Sequence, residues 1–235
     1  MKYIASCSFG KDSLAMLLRL IEENKPLDEV IFYDTGLEFQ AIYNNRDKIL
    51  PILKEHGIKY VELTPKDNFL YKMFEKPVKK HNGTIQNGYS WCGGRCRWGT
   101  TEKLKLLEKY ADGCHEYVGI AYDEVKRLEK ERKGSKSFPL AEWEMTEADC
   151  LQYCYDKGFD WLEDDVELYS ILSRVSCWCC ANKNLKELKN YYKYLPKYWN
   201  KLKEMQAKTD RPFYNNRLTI FELEEKFEKE IDKIA

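Results

Sequence analysis

The chain has 235 residues, a length that suggests one domain or one domain with an appendage. Hydrophobic residues make up 43% and charged residues 33%, which excludes a disordered or collagen-like chain. The 39 Lys and Arg balance the 39 Asp and Glu, so the net charge neither favours nor excludes a polyanionic partner. There is no run of 18 apolar residues and no signal-peptide pattern at the N-terminus. We therefore expect a soluble, cytoplasmic protein with no membrane partner.

Strand and helix patterns alternate over the first part of the chain. Short apolar strands are predicted at residues 3–5, 30–33, 60–63 and 117–120, with helical spacing at 14–21, 49–53 and 103–110. This alternation predicts an α/β fold with a parallel sheet covered by helices on both faces. Glycine-rich residues 80–94 interrupt it and are predicted to form a loop.

Strand signals stop near Thr146, which together with Asp149 resembles a helix N-terminus. Two basic, aromatic helices separated by Pro196 follow. A last helix carries apolar residues on one side: Ile220, Leu223, Phe227, Ile231 and Ile234. We therefore predict an α/β domain over residues 1–145 and a helical subdomain over residues 146–235.

The segment SCSFGKDS at residues 6–13 lies between the first strand and the first helix. Backbone N–H groups at a helix N-terminus bind anions, and the helix dipole reinforces the effect. Gly10 allows close approach to a ligand, Lys11 adds a positive charge for phosphate, and Asp12 could hold Mg²⁺. The segment is neither a Walker A loop nor a GxGxxG fingerprint. It predicts a phosphate site of a different kind.

Three segments carry a family resemblance. Residues 8–13 resemble the SGGKDS signature of the PP-loop ATP pyrophosphatases, with Phe9 in place of the first glycine. Residues 34–39, DTGLEF, resemble the DTGxEF segment of the phosphoadenosine phosphosulfate (PAPS) reductase branch, and residues 119–127 are similar to its third block. The resemblance implies an adenine nucleotide alpha hydrolase-like fold, in which the α/β domain binds the nucleotide.

The resemblance also implies roles for individual residues. Family members commonly cleave ATP between the α- and β-phosphates and adenylate a substrate, whereas sulfonucleotide reductases use the same pocket for adenylyl sulfate. Lys11, Asp12 and Arg127 are the candidate catalytic residues. Arg127 and Arg174 flank the motif blocks, and an Arg fork binds phosphate bidentately. The full predicted nucleotide-binding set is Ser6, Ser8, Phe9, Gly10, Lys11, Asp12, Ser13, Asp34, Thr35, Gly119, Arg127 and Arg174.

Five of the nine cysteines form two close groups, Cys92-x3-Cys96 and Cys177-x-Cys179-Cys180. Four thiolates suit either one Zn²⁺ or a [4Fe-4S] cluster, and the spacing does not separate the two. The predicted ligands are Cys92, Cys96, Cys177 and Cys180, with Cys179 as the alternative.

The remaining four cysteines carry weaker signals. Cys114, Cys150 and Cys154 fit ordinary buried thiols. Cys7 is either a thiol activated by the helix N-terminus or a small residue that faces the sheet.

Lysines are interleaved with aromatic residues at 183–208, and residues 126–136 are basic, so these segments could track a phosphate backbone and a nucleic-acid acceptor such as tRNA or DNA is possible. The competing interpretation is a solvated helix face whose aromatic residues turn inward.

The resemblance narrows the chemistry further. Thioredoxin-dependent reductases of the family carry a catalytic Cys in a C-terminal tail, whereas no Cys follows Cys180 in this sequence. Cysteine-bearing members without that tail resemble the ATP pyrophosphatases of DNA phosphorothioation and tRNA thiolation. We therefore predict an enzyme that uses ATP and Mg²⁺ to adenylate an acceptor for sulfur transfer. A homodimer is a possible oligomeric state. The alternatives are a PAPS or adenylyl sulfate reductase and a zinc-stapled nucleotide sensor without catalysis.

Overall fold

The computed structural model describes residues 1–94, 96–131, 134–215 and 217–232. Arg132 and Lys133 of the predicted basic segment, and the side chains of Ile231 and Ile234, lie outside the described part. Within that part, no helix combines the length and apolar character that a membrane span needs.

The secondary structure comprises short strands and helices along the whole chain. The strands are β1 (Tyr3–Ser6), β2 (Glu29–Tyr33), β3 (Lys59–Leu63), β4 (Pro77–Lys79), β5 (Ile85–Asn87), β6 (His115–Val118), β7 (Ser135–Ser137), β8 (Leu162–Glu163) and β9 (Val166–Glu167). The helices are α1 (Lys11–Glu22), α2 (Gln40–Glu55), α3 (Phe69–Phe74), α4 (Lys103–Tyr110), α5 (Val125–Leu128), α6 (Pro139–Glu142), α7 (Glu147–Asp156), α8 (Leu168–Ile171), α9 (Leu185–Tyr194), α10 (Pro196–Gln206) and α11 (Ile220–Asp232). A π-helical turn, Arg97–Glu102, leads into α4.

Contacts divide the chain into two compact units. The first, called the sheet unit, comprises Met1–Asp34, Glu38–Thr64 and Lys103–Trp161. The second, called the cysteine unit, comprises Thr35–Leu37, Pro65–Glu102 and Leu162–Ala235.

The sheet unit is built on five parallel strands in the order β3-β2-β1-β6-β7. All five residues of β2 are buried, as expected for a parallel strand with both faces covered. The predicted α/β class and its parallel sheet are therefore confirmed. The chain runs outward from β1 to β3 and then returns to the other side of β1, so the strand order reverses between β1 and β6. Open α/β sheets bind ligands at such a point, beyond the carboxyl ends of the strands.

The units differ from the predicted division at residue 145. Helix α7 lies in the sheet unit, where it packs on α1 and buries Cys150 and Cys154 completely. The Thr146–Asp149 capping box starts this helix, as the sequence predicted. The sequence around α7 does not reveal this packing, because the partner helix α1 lies more than 100 residues earlier in the chain.

Two short hairpins fall where no strand was predicted. Strand β4 lies just before the predicted loop at residues 80–94, and β5 lies within it; the two pair antiparallel. Strands β8 and β9 form the second antiparallel pair. Strands of two or three residues are too short for a period-two pattern to stand out.

Gly88 ends the β4–β5 hairpin in a crowded position. Its φ is +66°, and a Cβ there would lie 1.9 Å from the Met73 carbonyl oxygen. Gly83, in the same hairpin, also has a positive φ of +85°, but nothing lies within 4 Å of its Cβ position. A substitution at either glycine therefore strains the backbone, whereas only a substitution at Gly88 also causes steric overlap.

We expect Gly88→Ala to destabilise the protein by more than about 3 kcal/mol, because backbone must move to admit the methyl group. Gly83→Ala is the control and should cost roughly 1 kcal/mol, from the positive φ alone. Urea unfolding followed by circular dichroism measures both. Equal losses for the two variants would contradict the crowding at Gly88.

Candidate nucleotide site and cysteine centre

Phe9, which stands where the resembling family has glycine, adopts a positive φ of 56°. Its ring is fully buried and packs against Phe32 at a centroid distance of 5.0 Å. The Trp161 indole Nε1 donates a hydrogen bond to the Phe9 carbonyl at 2.9 Å. The ring therefore belongs to the core of the sheet unit. Only the backbone of Phe9 is left for the nucleotide contact that the resemblance implies.

Ser13 ties the loop between β1 and α1 together. Its Oγ accepts a hydrogen bond from the Ser8 backbone N–H at 3.1 Å and donates to the Gly10 carbonyl at 3.2 Å. The Ser8 hydroxyl lies 3.2 Å from the same Oγ, and Ser8 is exposed. The loop is thus held in shape before any ligand binds.

Gly119 follows β6 and lies directly against the first turn of α1. A Cβ at this position would come within 2.8 Å of the Ser13 Cα and 3.1 Å of the Asp12 carbonyl oxygen. Only glycine fits there without displacing backbone. The close approach brings the carboxyl end of β6 beside the loop.

Lys11 is buried, with only 6% of its surface exposed. Its Nζ lies 2.8 Å from Asp12 Oδ1 and 3.3 Å from Glu147 Oε1. Asp12, Glu124 and Glu147 form a carboxylate trio whose nearest oxygens all lie within 4.8 Å of one another. Burial raises the pKa of Asp12, although the Lys11 ammonium partly offsets the effect. Carboxylate oxygens are the ligands that Mg²⁺ prefers, so the trio could hold the metal of a Mg²⁺-nucleotide.

Arg127 lies on α5, beside this trio. Its Nη1 donates to Glu124 Oε1 at 2.6 Å, and nearly half of its side chain is exposed. The guanidinium is thus held near the trio and remains accessible to a ligand.

A cavity of about 630 Å³ opens in the sheet unit at the carboxyl ends of β1 and β6. Its size lies in the range of small-molecule sites. Ser6, Ser8 and Ser13 of the loop line it, with Ile31, Leu107 and Ile120 among its apolar residues. Four cationic side chains, Lys103, Arg127, Lys130 and Lys136, also line it, against three acidic ones, Glu108, Glu116 and Glu131. The cavity therefore offers an apolar wall, hydroxyl donors and an excess of positive charge.

One part of the cavity wall is a buried polar network. Glu116, on β6, accepts a hydrogen bond from Ser6 Oγ at 2.5 Å and also pairs with Lys136. Both ends of the Glu116 carboxylate are therefore satisfied. Ser6, a predicted nucleotide-binding residue, is held in this network and lines the cavity.

Cys7 is buried, with 3% of its surface exposed, and its Sγ contacts the Ser13 carbonyl oxygen at 3.6 Å. Burial raises the pKa of Cys7 to about 11. Desolvation therefore outweighs the helix N-terminus, and the thiol stays protonated near neutral pH. Of the two interpretations drawn from the sequence, the small residue facing the core fits the structure.

Ser6, Ser8, Ser13, Gly119 and Arg127 of the predicted nucleotide-binding set line this cavity, whereas Phe9, Gly10, Lys11, Asp12, Asp34, Thr35 and Arg174 do not. Asp34 Oδ1 accepts a hydrogen bond from the Tyr43 hydroxyl at 2.7 Å. Thr35 belongs to the cysteine unit, where its Oγ1 caps the Leu37 N–H and lies 3.6 Å from Cys177 Sγ. Arg174 is exposed in the same unit. Their nucleotide contacts stay predictions, and the proximity of Thr35 to a cysteine could not be predicted from the motif.

The two cysteine groups meet inside the cysteine unit. A small cavity of about 40 Å³ there is lined by five cysteines, Cys92, Cys96, Cys177, Cys179 and Cys180, which we call the cysteine centre. The backbone N–H of Gly99 donates to Cys96 Sγ at 3.3 Å. A Cβ at Gly99 would lie 3.8 Å from both Cys96 Sγ and Cys177 Sγ, so glycine leaves room between two of the predicted ligands.

Two observations test which metal group these thiols fit. Among the described residues, any three of the sulfur atoms include a pair more than 4.8 Å apart. Four thiolates on one Zn²⁺ would be ~3.8 Å apart, given a Zn–S bond of about 2.3 Å, whereas cysteines that each bind a different iron are farther apart. Trp91 and Trp98 line the same cavity, and their buried indole N–H groups have no hydrogen-bond partner within the described part of the chain. Sulfur acceptors of a cluster would satisfy such donors.

Two ionisable side chains of the cysteine unit, Cys92 and Lys183, have shifted pKa values. A hydrogen bond from the Cys96 thiol lowers the pKa of Cys92. Lys183 is 5% exposed, and burial lowers its pKa, while the neighbouring Cys180 and Glu187 act in the opposite direction. The burial of Lys183 was not predicted from the sequence, because nothing in its local pattern marks it as buried.

The structure also bears on two other predictions: that Cys114, Cys150 and Cys154 are buried thiols, and that the aromatic residues of the basic helices face inward. Cys150 and Cys154 are buried as predicted, whereas Cys114 is partly exposed, contrary to the prediction. Tyr191 and Trp199 are buried, so aromatic residues of α9 and α10 do turn inward. The nucleic-acid acceptor stays a prediction.

We expect Phe9→Gly, which restores the residue of the resembling family, to destabilise the protein by about 2–4 kcal/mol. Losing the buried ring outweighs the roughly 1 kcal/mol of backbone strain that glycine relieves. Asn24→Gly is the control, because exposed Asn24 has a similar φ of 51° and buries no ring. Urea unfolding measures both variants. Unchanged stability of Phe9→Gly would contradict the packing role of the ring.

Known proteins match this chain at the level of a family. The family model of the phosphoadenosine phosphosulfate reductase domain matches residues 2–183. Adenosine 5'-phosphosulfate reductase of Staphylococcus epidermidis is 26% identical over 183 residues, covering 74% of this chain and 69% of that protein. An uncharacterized protein of Methanocaldococcus jannaschii is 27% identical over 211 residues, which cover 83% of this chain and 39% of that protein. The chain thus spans about two fifths of the length of this relative.

Among solved structures, the U34-tRNA thiolase NcsA from Methanococcus maripaludis with its [4Fe-4S] cluster covers 100% of this chain and 74% of its own, at 16% identity and a TM-score of 0.47. A likeness this weak carries no functional inference. The family model, in contrast, covers most of the chain and includes both the loop at residues 6–13 and all five residues of the cysteine centre. The chain belongs to the phosphoadenosine phosphosulfate reductase domain family.

Proposed function

We propose that this protein is an ATP pyrophosphatase that adenylates an acceptor for sulfur transfer. The observation that carries the proposal is the juxtaposition of the 630 Å³ cavity with the ordered loop at residues 6–13 and an excess of cationic side chains. A nucleotide triphosphate has matching parts: an apolar base, a sugar and an anionic tail.

The residues of the sheet unit would divide the work as follows. Backbone N–H groups at the start of α1 and the exposed Ser8 hydroxyl bind phosphate oxygens. The carboxylate trio holds Mg²⁺, and Lys11 lies between two of its members. Arg127 offsets negative charge on the departing pyrophosphate.

The reaction is a displacement at the α-phosphorus. An oxygen of the acceptor forms the new P–O bond, and the bond from the α-phosphorus to the bridging oxygen breaks. Pyrophosphate leaves with the electron pair of that bond, and the acceptor is left as an adenylate. A sulfur nucleophile can then displace AMP.

The cysteine centre supplies the second part of the proposal. Cys92, Cys96, Cys177 and Cys180 would hold a [4Fe-4S] cluster, with Cys179 as the alternative ligand. The separation of the sulfur atoms and the buried indole donors of Trp91 and Trp98 support a cluster over a single Zn²⁺. Such a group, when bound, supplies a site for sulfur or electron transfer.

A sulfonucleotide reductase is the second candidate. The 26% identity to an adenosine 5'-phosphosulfate reductase over 74% of the chain favours it. Adenylyl sulfate carries the same adenine and α-phosphate as ATP, so the cavity suits either nucleotide. The two functions differ in their products, which are pyrophosphate for the first and sulfite for the second.

The deciding experiment uses anaerobically purified protein. One set of reactions contains Mg²⁺·ATP with tRNA, DNA or no acceptor, and pyrophosphate is measured. A parallel set contains adenylyl sulfate or PAPS with a thiol reductant, and sulfite is measured. Pyrophosphate that depends on an acceptor supports the proposed function, and sulfite supports the reductase. Nucleotide binding without either product would favour the zinc-stapled sensor.

We expect Lys11→Ala to lower nucleotide turnover by about 100-fold or more, because it removes the buried positive charge at the start of α1. Lys25→Ala, at an exposed site beyond the end of α1, should leave turnover unchanged. Circular dichroism of both variants checks that the fold is retained. Wild-type turnover by folded Lys11→Ala would remove this residue from the active site.

Cys177→Ala should lose most of its bound metal, since the variant removes one of the predicted ligands. Iron, zinc and acid-labile sulfide per chain are measured after anaerobic purification. Cys114→Ala is the control, because Cys114 is partly exposed and belongs to the sheet unit. Full metal retention by Cys177→Ala would exclude Cys177 from the ligand set.

A further inference from the structure

Asn182 joins the two cysteine groups of the cysteine unit. Its Oδ1 accepts a hydrogen bond from the Gly94 backbone N–H at 2.7 Å, and its Nδ2 donates one to the Gly94 carbonyl oxygen at 2.7 Å. A side-chain amide carries the same kinds of donor and acceptor as a peptide group. Asn182 therefore pairs with both backbone groups of Gly94 as a residue of a neighbouring antiparallel strand would. We call these two hydrogen bonds the amide clamp.

The amide clamp lies close to the predicted ligands along both segments of the chain. Gly94 is midway between Cys92 and Cys96, two residues from each. Asn182 follows Cys180 by two residues. All three of these cysteines line the small cavity of the cysteine unit. The clamp thus fixes the middle of the first cysteine group to the chain just after the second.

Gly94 suits this pairing through its backbone conformation. Its φ is +68°, which glycine adopts without strain, and nothing lies within 4 Å of the position that a Cβ would take. Glycine is therefore required here by the turn of the chain and not by lack of space. In this turn, both backbone groups of Gly94 meet the Asn182 amide.

Other contacts order the second cysteine group without reaching the first. Glu187 accepts hydrogen bonds from the Ser173 backbone N–H at 3.0 Å and from the Ser173 hydroxyl at 2.6 Å. The Trp178 N–H donates to the Leu37 carbonyl at 3.0 Å. Neither contact involves residues 92–96. The amide clamp differs from them because it links the two groups directly.

The amide clamp is exposed to solvent at both Gly94 and Asn182. Water competes for the two hydrogen bonds, so their net contribution to the stability of the fold is modest. Their effect on a metal group is of another kind. Four ligands must stay at fixed distances to hold it, and the two segments must separate before it can leave. Partners that hold metal ligands in place typically account for about 10–100-fold in metal affinity.

We propose that Asn182 is a positioning residue of the cysteine centre: the amide clamp holds the two cysteine groups at the separation that metal binding requires, and it slows metal release. This inference rests on the cluster named in the proposed function. Asn182 is not assigned as a ligand. It acts through Gly94 on the loop that carries Cys92 and Cys96.

The test compares Asn182→Ala with Asn184→Ala. Asn182→Ala removes the amide clamp and leaves all five cysteines in place. Asn184 is also exposed and lies two residues further along, where its side chain caps α9 by accepting from the Glu187 N–H at 2.9 Å. Asn184→Ala therefore lowers stability through the lost helix cap but keeps the clamp. It is the matched control for a loss of stability beside the cysteines.

The full-length proteins are loaded anaerobically with iron and sulfide, and circular dichroism checks that each is folded. Iron release to a chelator is then timed, and the electron paramagnetic resonance spectrum of the reduced centre is recorded. Urea unfolding of the metal-free proteins gives the stability loss of each variant.

We expect Asn182→Ala to release iron about tenfold faster than the wild type, or faster still. Its resonance spectrum should change, because the ligand geometry has changed. Asn184→Ala should keep the release rate and the spectrum of the wild type despite its lower stability. Failure of folded Asn182→Ala to load at all, while Asn184→Ala loads fully, would support the same inference.

Different failures are distinguishable. A wild-type protein that takes up no iron and sulfide overturns the cysteine centre and this inference together. If the wild type loads normally and Asn182→Ala releases iron at the wild-type rate, the inference alone is overturned. Release rates that simply follow the stability losses of the two variants also overturn it, because Asn182 would then act only on the fold.

Discussion

The close contact between Gly119 and the first turn of α1 is the constraint on which the candidate nucleotide site depends. It sets β6 against the backbone of Asp12 and Ser13, so the loop at residues 6–13 has no freedom to expand toward that strand. Ser13 then holds the loop from inside through Ser8 and Gly10. A cavity with fixed donors results, and fixed donors bind a phosphate without first being ordered.

Each of the two units contains a buried lysine, and the groups around the two ammonium groups differ. Lys11 has carboxylates at hydrogen-bond distance, so its charge is compensated in the protein itself. Lys183 is equally buried, and its ammonium lies 5.1 Å from the centroid of the Tyr191 ring. The first arrangement suits a site that receives an anionic nucleotide together with Mg²⁺.

The departure from the family signature at Phe9 shows how a loop can keep its shape with a different residue. Glycine reaches a positive φ without strain, whereas phenylalanine does so only where tertiary contacts stabilise it. In this protein the ring fills the core beside Phe32, and the Trp161 indole holds the Phe9 carbonyl. The strain at one residue is thereby offset by burial of a large apolar side chain.

The sequence by itself determined the α/β class, the loop between the first strand and the first helix, and the two cysteine groups. These features are local: strand and helix periods, a short motif at the end of a strand, and cysteines a few residues apart. The helix starts at Thr146 and Pro196 were predictable for the same reason, because capping is a contact between near neighbours.

The tertiary structure alone decided which distant residues share an environment. It assigned α7 to the sheet unit, brought Thr35 beside Cys177, and buried Cys7 so that its pKa rises where the helix N-terminus would lower it. It also brought the two cysteine groups together and buried Lys183, three residues after Cys180. Burial and long-range contact depend on the packing of whole elements, and no short stretch of sequence records that packing.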